Sequence, residues 1–113
     1  MDSLNYLIME EFVMANVIEF VSFKLKEGIS EQQFLESSDV LNKGFLSLQK
    51  GYVSRKLLKK DDTWADIVIW ESMDDAMNAM KAAEQTDPED IQYFFFIEEN
   101  SSNMQHWNVE KSY

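Results

Sequence analysis

Cysteine is absent, and histidine and proline occur once each. Without cysteine there is no disulfide framework and no thiolate-ligated metal, which suits a reducing compartment and leads to the expectation of a cytoplasmic protein. One histidine leaves only a mixed carboxylate and histidine site as a metal prospect, and no ligand spacing marks one, so no metal and no cofactor are expected. Three glycines form no phosphate-binding loop. No serine sits in a nucleophile motif. With so little glycine and proline there is no linker and no domain boundary. No apolar run approaches the roughly 20 residues that span a bilayer.

Positive charge is scarce in one half of the chain. Residues 61–113 hold 13 acidic and two basic residues and carry the whole net charge of -11, while residues 1–60 balance at eight of each. Such a surface repels nucleic acid and anionic membrane, so neither is an expected partner. Arg55 to Lys60, RKLLKK, is the one basic concentration, read as a solvated strand end beside Asp61 and Asp62 or as an anion site.

The opening MDSLNYLIMEEFVMAN has no basic leader, and Glu10 and Glu11 interrupt its apolar residues, so it does not have the form of a signal peptide. Met14 opens a natural domain start. Residues 1–13 are therefore read as an N-terminal extension (a mobile tail, an extra edge element or a start codon set too early) and 14–113 as a single domain.

What is present is a globular composition, 45% hydrophobic and 13% aromatic. A domain this small buries a limited share of its surface, which makes oligomerisation a natural support. Asn16 to Lys26 is β-branched and aromatic and reads as a strand ended by Gly28. Ser30 with Gln33 three residues on forms a capping box. Phe34, Leu41, Phe45 and Leu48 then share one face of a helix over 31–49. Tyr52 to Lys60 and Trp64 to Glu71 form a hairpin across the turn KDDT. Ser72 caps a second helix, with Asp74 and Asp75 in its first turn and Met73, Ala76, Met77, Met80 and Ala83 as its core stripe. Asp87-Pro88 starts a further short helix whose apolar YFFFI, Tyr93 to Ile97, is expected to insert deeply. Met104 to Lys111 is the last strand. The order βαββαβ, with the extra short helix before the last strand, is that of a ferredoxin-like α+β sandwich with both main helices on one face of the sheet.

Both faces of that sheet are apolar. One parity of strand one gives Val17, Glu19, Val21, Phe23 and Leu25; the other gives Ile18, Phe20, Ser22, Lys24 and Lys26. Strand three divides into Trp64, Asp66, Val68 and Trp70 against Ala65, Ile67, Ile69 and Glu71. Two helices cover one face only. A second subunit packed sheet to sheet is the simplest cover for the other, with a lid from residues 1–13 as the competing one.

The run GYVSRKLLKKDDTWADIVIWESMDDAMNAM, residues 51–80, resembles the dimeric α/β-barrel superfamily, in particular antibiotic biosynthesis monooxygenase-like proteins and their uncharacterised branch. Residues 17–34, VIEFVSFKLKEGISEQQF, and 104–110, MQHWNVE, fit the same pattern. The resemblance covers about 17–111. It implies a homodimer whose sheets form a barrel, with a cavity in each subunit between sheet and helices. Members include cofactor-free oxygenases acting on aromatic polyketides or quinols, and haem-degrading enzymes. The latter look to a histidine on the helical side, where this chain has none.

Four polar residues interrupt the apolar strands: Glu19, Arg55, Asp66 and His106. A half-buried carboxylate is costly unless paired or hydrogen-bonded. Glu19, Asp66 and His106 fall on three adjacent strands of the expected sheet and Arg55 on the fourth. As an active site, His106 accepts a proton, oriented by Glu19 or Asp66, and Arg55 holds an anionic or enolate oxygen. Trp64, Trp70, Phe94 and Phe95 wall the pocket. As structure, the same residues form a buried network that sets strand register or a dimer interface. Three functions stay open: a cofactor-independent enzyme of oxygenase or isomerase type acting on a small aromatic or enolisable substrate, a non-catalytic binder of such a ligand, and a dimerisation module.

Overall fold

The computed structural model describes residues 16–113. The expected 1–13 extension, and its role as a lid, lie outside those residues. The elements run β1 Val17–Phe23, α1 Glu31–Gly44, β2 Tyr52–Lys60, β3 Thr63–Trp70, α2 Met73–Ala83, α3 Gln92–Phe95 and β4 Asn103–Asn108. The four strands pair antiparallel in the order β2-β3-β1-β4. This is the ferredoxin-like sandwich that the element order predicts.

Local chemistry explains the element ends. Ser30 Oγ accepts from the Gln33 N–H at 3.0 Å and Ser72 Oγ from the Asp75 N–H at 3.1 Å, so both main helices start at the side-chain caps read from sequence. The hairpin closes through Asp61 and Asp62, with Asp61 at φ 55, a left-handed conformation that aspartate tolerates better than most residues. Gly51, at φ 83, lies beneath the Asp75 carboxylate, where a Cβ would collide; this close approach seats the start of α2 over the start of β2.

Burial assigns the faces that parity left open. Val17, Glu19 and Phe23 of β1 and Trp64, Asp66, Val68 and Trp70 of β3 are buried under the helices. They join Phe34 and Leu41 of α1, Ala76 and Ala79 of α2, and Tyr93 and Phe96 in one core. The opposite face carries Ile18, Phe20, Ile67 and Ile69, half-buried, with Leu58 and Trp107 exposed, the latter at 60%.

Three expectations are corrected. Helix one stops at Gly44, not 49. Phe45 leaves helical geometry at φ -138, ψ -68, and a short 3-10 turn follows over Leu46–Leu48. The neighbours Phe45 and Leu46 are both buried there, and Leu48 is exposed. Second, the methionine stripe of α2 is not all core: Ala76 and Ala79 are buried, and Met80 is 43% exposed. Third, YFFFI is not deeply inserted throughout. Tyr93 and Phe96, three residues apart, point inward, while Phe94 and Phe95 are exposed at 41% and 55%. The segment before it is a set of turns, with helix only from Gln92.

Candidate functional site

Arg55 on β2, Asp66 on β3, Glu19 on β1 and His106 on β4 form a polar row across the helix-facing side of the sheet. They join as two pairs. Glu19 and His106 are direct cross-strand partners in the β1–β4 register, and His106 Nε2 lies 2.9 Å from Glu19 Oε1. Arg55 is opposite Val68 and reaches diagonally to Asp66, as a long side chain can. Its Nε donates to Asp66 Oδ1 at 2.9 Å and its Nη2 to Oδ2 at 3.0 Å, a bidentate fork. Arg55 Nη1 donates to the Ser38 carbonyl of α1 at 3.2 Å.

A further member joins from α3. Tyr93 OH donates to Asp66 Oδ2 at 2.6 Å, and the Arg55 guanidinium stacks 5.1 Å from the centre of its ring. Sequence reasoning placed Tyr93 only within an apolar run. The available signal was that its hydroxyl is the one polar tip in Tyr93–Ile97.

The electrostatics follow from burial. Loss of water raises the Glu19 pKa above its ordinary 4.5; the His106 hydrogen bond and charge pull it back in part, and nearby Asp66 adds to the rise. For Arg55, burial opposes the charge, but the hydrogen bonds and charge of Asp66 more than offset it and the pKa is raised. Burial, then the Asp66 carboxylate, hold the Tyr93 hydroxyl well above its ordinary value, so it stays a donor.

The Glu19 shift has a testable sign. A carboxyl whose pKa is higher folded than unfolded binds more protons when folded. Its contribution to stability is complete below 4.5 and is lost as pH rises through the raised folded value. Urea midpoints of the wild type are therefore expected to decline relative to those of Glu19→Gln as pH climbs above 4.5. A difference that stays level would contradict the shift.

Beneath the helices, these groups meet a cavity of about 240 Å³. Glu19, Asp66 and Trp70 contribute to its sheet side, and Ala76, Ala79 and Ala83 of α2 line the side opposite. Met80, Phe94 and Met104 line it and are also solvent-exposed, which makes them its mouth. Of the four aromatics expected as walls, Trp70 and Phe94 line the cavity. Trp64 packs edge-on to Phe34 and beneath Lys59 outside it, and Phe95 faces solvent. Arg55 and His106 do not line it; Arg55 is held by Asp66 and Ser38, and His106 stands behind Glu19. Trp70 weakly favours ionised Glu19, yet its buried indole N–H reaches no acceptor with hydrogen-bond geometry. A buried donor without a partner is costly, and Glu19 is the acceptor it stands near.

The basic run divides between inside and outside. Arg55 is internal, Lys59 pairs with Glu31 at 3.2 Å, and Lys56 and Lys60 are exposed. Among the described residues, no cluster of histidine and carboxylate side chains is arranged to hold a metal ion. No described helix is long and apolar enough to cross a membrane.

This architecture recurs in solved structures. SnoaB, a cofactor-independent oxygenase from Streptomyces nogalater, superposes in a single-residue mutant form with a TM-score of 0.62 over 87% of this chain and 96% of its own, at 16% identity. The fold is that of the antibiotic biosynthesis monooxygenase-like proteins. A protein from Nitrosomonas europaea classed as an antibiotic biosynthesis monooxygenase matches with a TM-score of 0.64 over 84% of this chain and 90% of its own, at 9% identity. A conserved protein from Methanosarcina mazei Go1 matches with a TM-score of 0.65 over 85% and 94%, at 8% identity. No family model and no curated protein matches the sequence.

Proposed function

We propose that this protein is a cytoplasmic homodimer and a cofactor-independent enzyme that removes a proton from a small aromatic or enolisable substrate. The observation that carries this reading is Glu19. It is a buried carboxylate with a raised pKa, it borders a mainly apolar cavity, and it is held from behind by His106. A base of raised pKa in a dry site accepts a proton more readily than an ordinary carboxylate. The roles expected from sequence are thus exchanged: Glu19 takes the proton, and His106 positions it and steadies its charge. Similarity to the cofactor-independent oxygenase SnoaB supports a reaction with dioxygen as the only co-reactant. A methylene next to the enol system then becomes a carbonyl, and the second oxygen atom leaves as water. Return of the proton to a different carbon instead gives an isomerisation.

The proton step can be read without knowing the natural substrate. Exchange of the α protons of 2-tetralone in deuterium oxide, followed by NMR, is expected to be accelerated by the wild type. Glu19→Gln should lose about 10²–10⁴-fold of the rate, the range for a positioned general base. His106→Ala should slow exchange with 2-tetralone affinity unchanged. An oxygen electrode separates the oxygenase from the isomerase. Exchange no faster with the wild type than with Glu19→Gln removes the proposal, and binding without exchange leaves a ligand-binding protein.

The homodimer rests on the open sheet face. Ile18, Phe20, Leu58, Ile67, Ile69 and Trp107 make a continuous apolar surface with no described element across it. Surfaces of this kind mark association sites. A second copy packed sheet to sheet is self-complementary and buries the face on both chains.

A further inference from the structure

We propose that the cavity selects uncharged hydroxylated aromatics of one or two rings, and that Ala79 of α2 sets the size limit. The inference rests on the reading of this cavity as a substrate site and adds to it a charge rule and a length rule.

The charge rule comes from the lining. No lysine, arginine or histidine of the described residues lines the cavity, whereas two carboxylates, Glu19 and Asp66, do. The nearest cation, Arg55, has its donors committed to Asp66 and the Ser38 carbonyl and lies under Tyr93. An anionic ligand would therefore lose its water, face Glu19 and gain no counter-charge. Burying an unpaired charge in this way is strongly unfavourable. A neutral hydroxyl, by contrast, donates to the Glu19 carboxylate at no cost in unpaired charge. Phe23, Leu41, Val68 and the alanines offer flat apolar contact, and Ser102 adds one uncharged hydroxyl to the lining.

The length rule comes from volume. About 240 Å³ is below the roughly 300–1,000 Å³ of pockets that take drug-sized ligands, so one or two fused rings fill it. The space exists because α2 presents alanine at 76, 79 and 83, one helical stripe across from the sheet. Ala76 is fully buried in the core and Ala83 is half-buried towards the helix end. Ala79, 5% exposed and next to Met80 at the mouth side, occupies the middle of the stripe. Replacing its methyl with an isobutyl group fills the cavity from above.

The test is calorimetric titration near neutral pH with phenol, 1-naphthol, 1-naphthoate and 9-phenanthrol. The wild type is expected to bind 1-naphthol, to bind 1-naphthoate at least about 30-fold more weakly, and not to bind 9-phenanthrol. Ala79→Leu should lose 1-naphthol and keep phenol, with its circular dichroism spectrum unchanged. Ala79→Gly, a modest loss of helix propensity, should admit 9-phenanthrol and serves where the leucine variant fails to fold. Equal affinity for 1-naphthol and 1-naphthoate overturns the charge rule. Tight 9-phenanthrol binding to the wild type, or size selection unmoved in both Ala79 variants, overturns the length rule. In those outcomes the substrate-site reading stands. If no probe binds the wild type, both readings fail together.

Discussion

Asp66→Ala is expected to cost about 3–5 kcal/mol, the range for breaking a buried ion pair by removing one partner. The deletion strands two groups at once. Arg55 keeps only the Ser38 carbonyl for its buried guanidinium, and the Tyr93 hydroxyl, bound to Asp66 at 2.6 Å, loses its acceptor. Both groups are largely withdrawn from solvent, Asp66 6% exposed and Tyr93 2%, so only water entering through the cavity could stand in for the lost oxygen atoms. Against a total stability on the order of 5–15 kcal/mol for a domain of this kind, the loss brings the protein close to unfolding. Asp66→Asn retains one acceptor and should fall between wild type and alanine. The double change Arg55→Met with Asp66→Leu should cost less than Asp66→Ala alone, since it removes the orphaned charge. Urea unfolding of the four proteins decides the matter. A loss under about 1 kcal/mol for Asp66→Ala would falsify the view that this network clamps β2, β3, α1 and α3 together.

Lysine at two adjacent positions should have opposite consequences. Ile67 is on the open face and Val68, 2% exposed, is under the helices. Ile67→Lys is expected to give a folded monomer, because the charge meets water in the free chain and an apolar partner in the dimer. Val68→Lys is expected to unfold the domain, since it forces a longer side chain and an ammonium group into the packed core, where Glu19, across the β1–β3 register, is already held by His106. Sedimentation and circular dichroism read the two outcomes separately. A wild type that sediments as a monomer at micromolar concentration, or an Ile67→Lys protein that still sediments as a dimer, removes the sheet-to-sheet interface. It leaves the network prediction untouched, because Asp66 and Arg55 face the other way.

Most of the fold was legible because its signals are local. Ser30 and Ser72 cap the helices through their own side chains, a relation that spans three residues. The hairpin turn at Asp61 and Asp62 is likewise a short-range matter. Helix one reads too long in the sequence because Phe45 and Leu48 keep a helical spacing. Only the packed structure shows the chain leaving the helix at Phe45 so that Phe45 and Leu46 can both be buried. The same limit applies to Tyr93–Ile97, where an all-apolar run does not tell which side will meet the core.

The candidate site was legible in part. Glu19, Arg55, Asp66 and His106 stand out as polar residues in apolar strands, and the strand order puts them in one row. Their pairing was not legible. Arg55 reaches Asp66 along a diagonal, and Tyr93 arrives from a segment 27 residues away in the chain. Nor could the sequence separate Trp70, which lines the cavity, from Trp64, which does not.

The amino-acid sequence by itself determined the elements, their order and the alternation of each strand, since these follow from neighbours a few residues apart. Tertiary structure alone decided which alternating set lies under the helices, which partners hold each buried carboxylate, and that α2 leaves a void. The physical reason is that a period of two distinguishes two faces without labelling either. The label comes only when long-range packing chooses the face on which the helices come to rest.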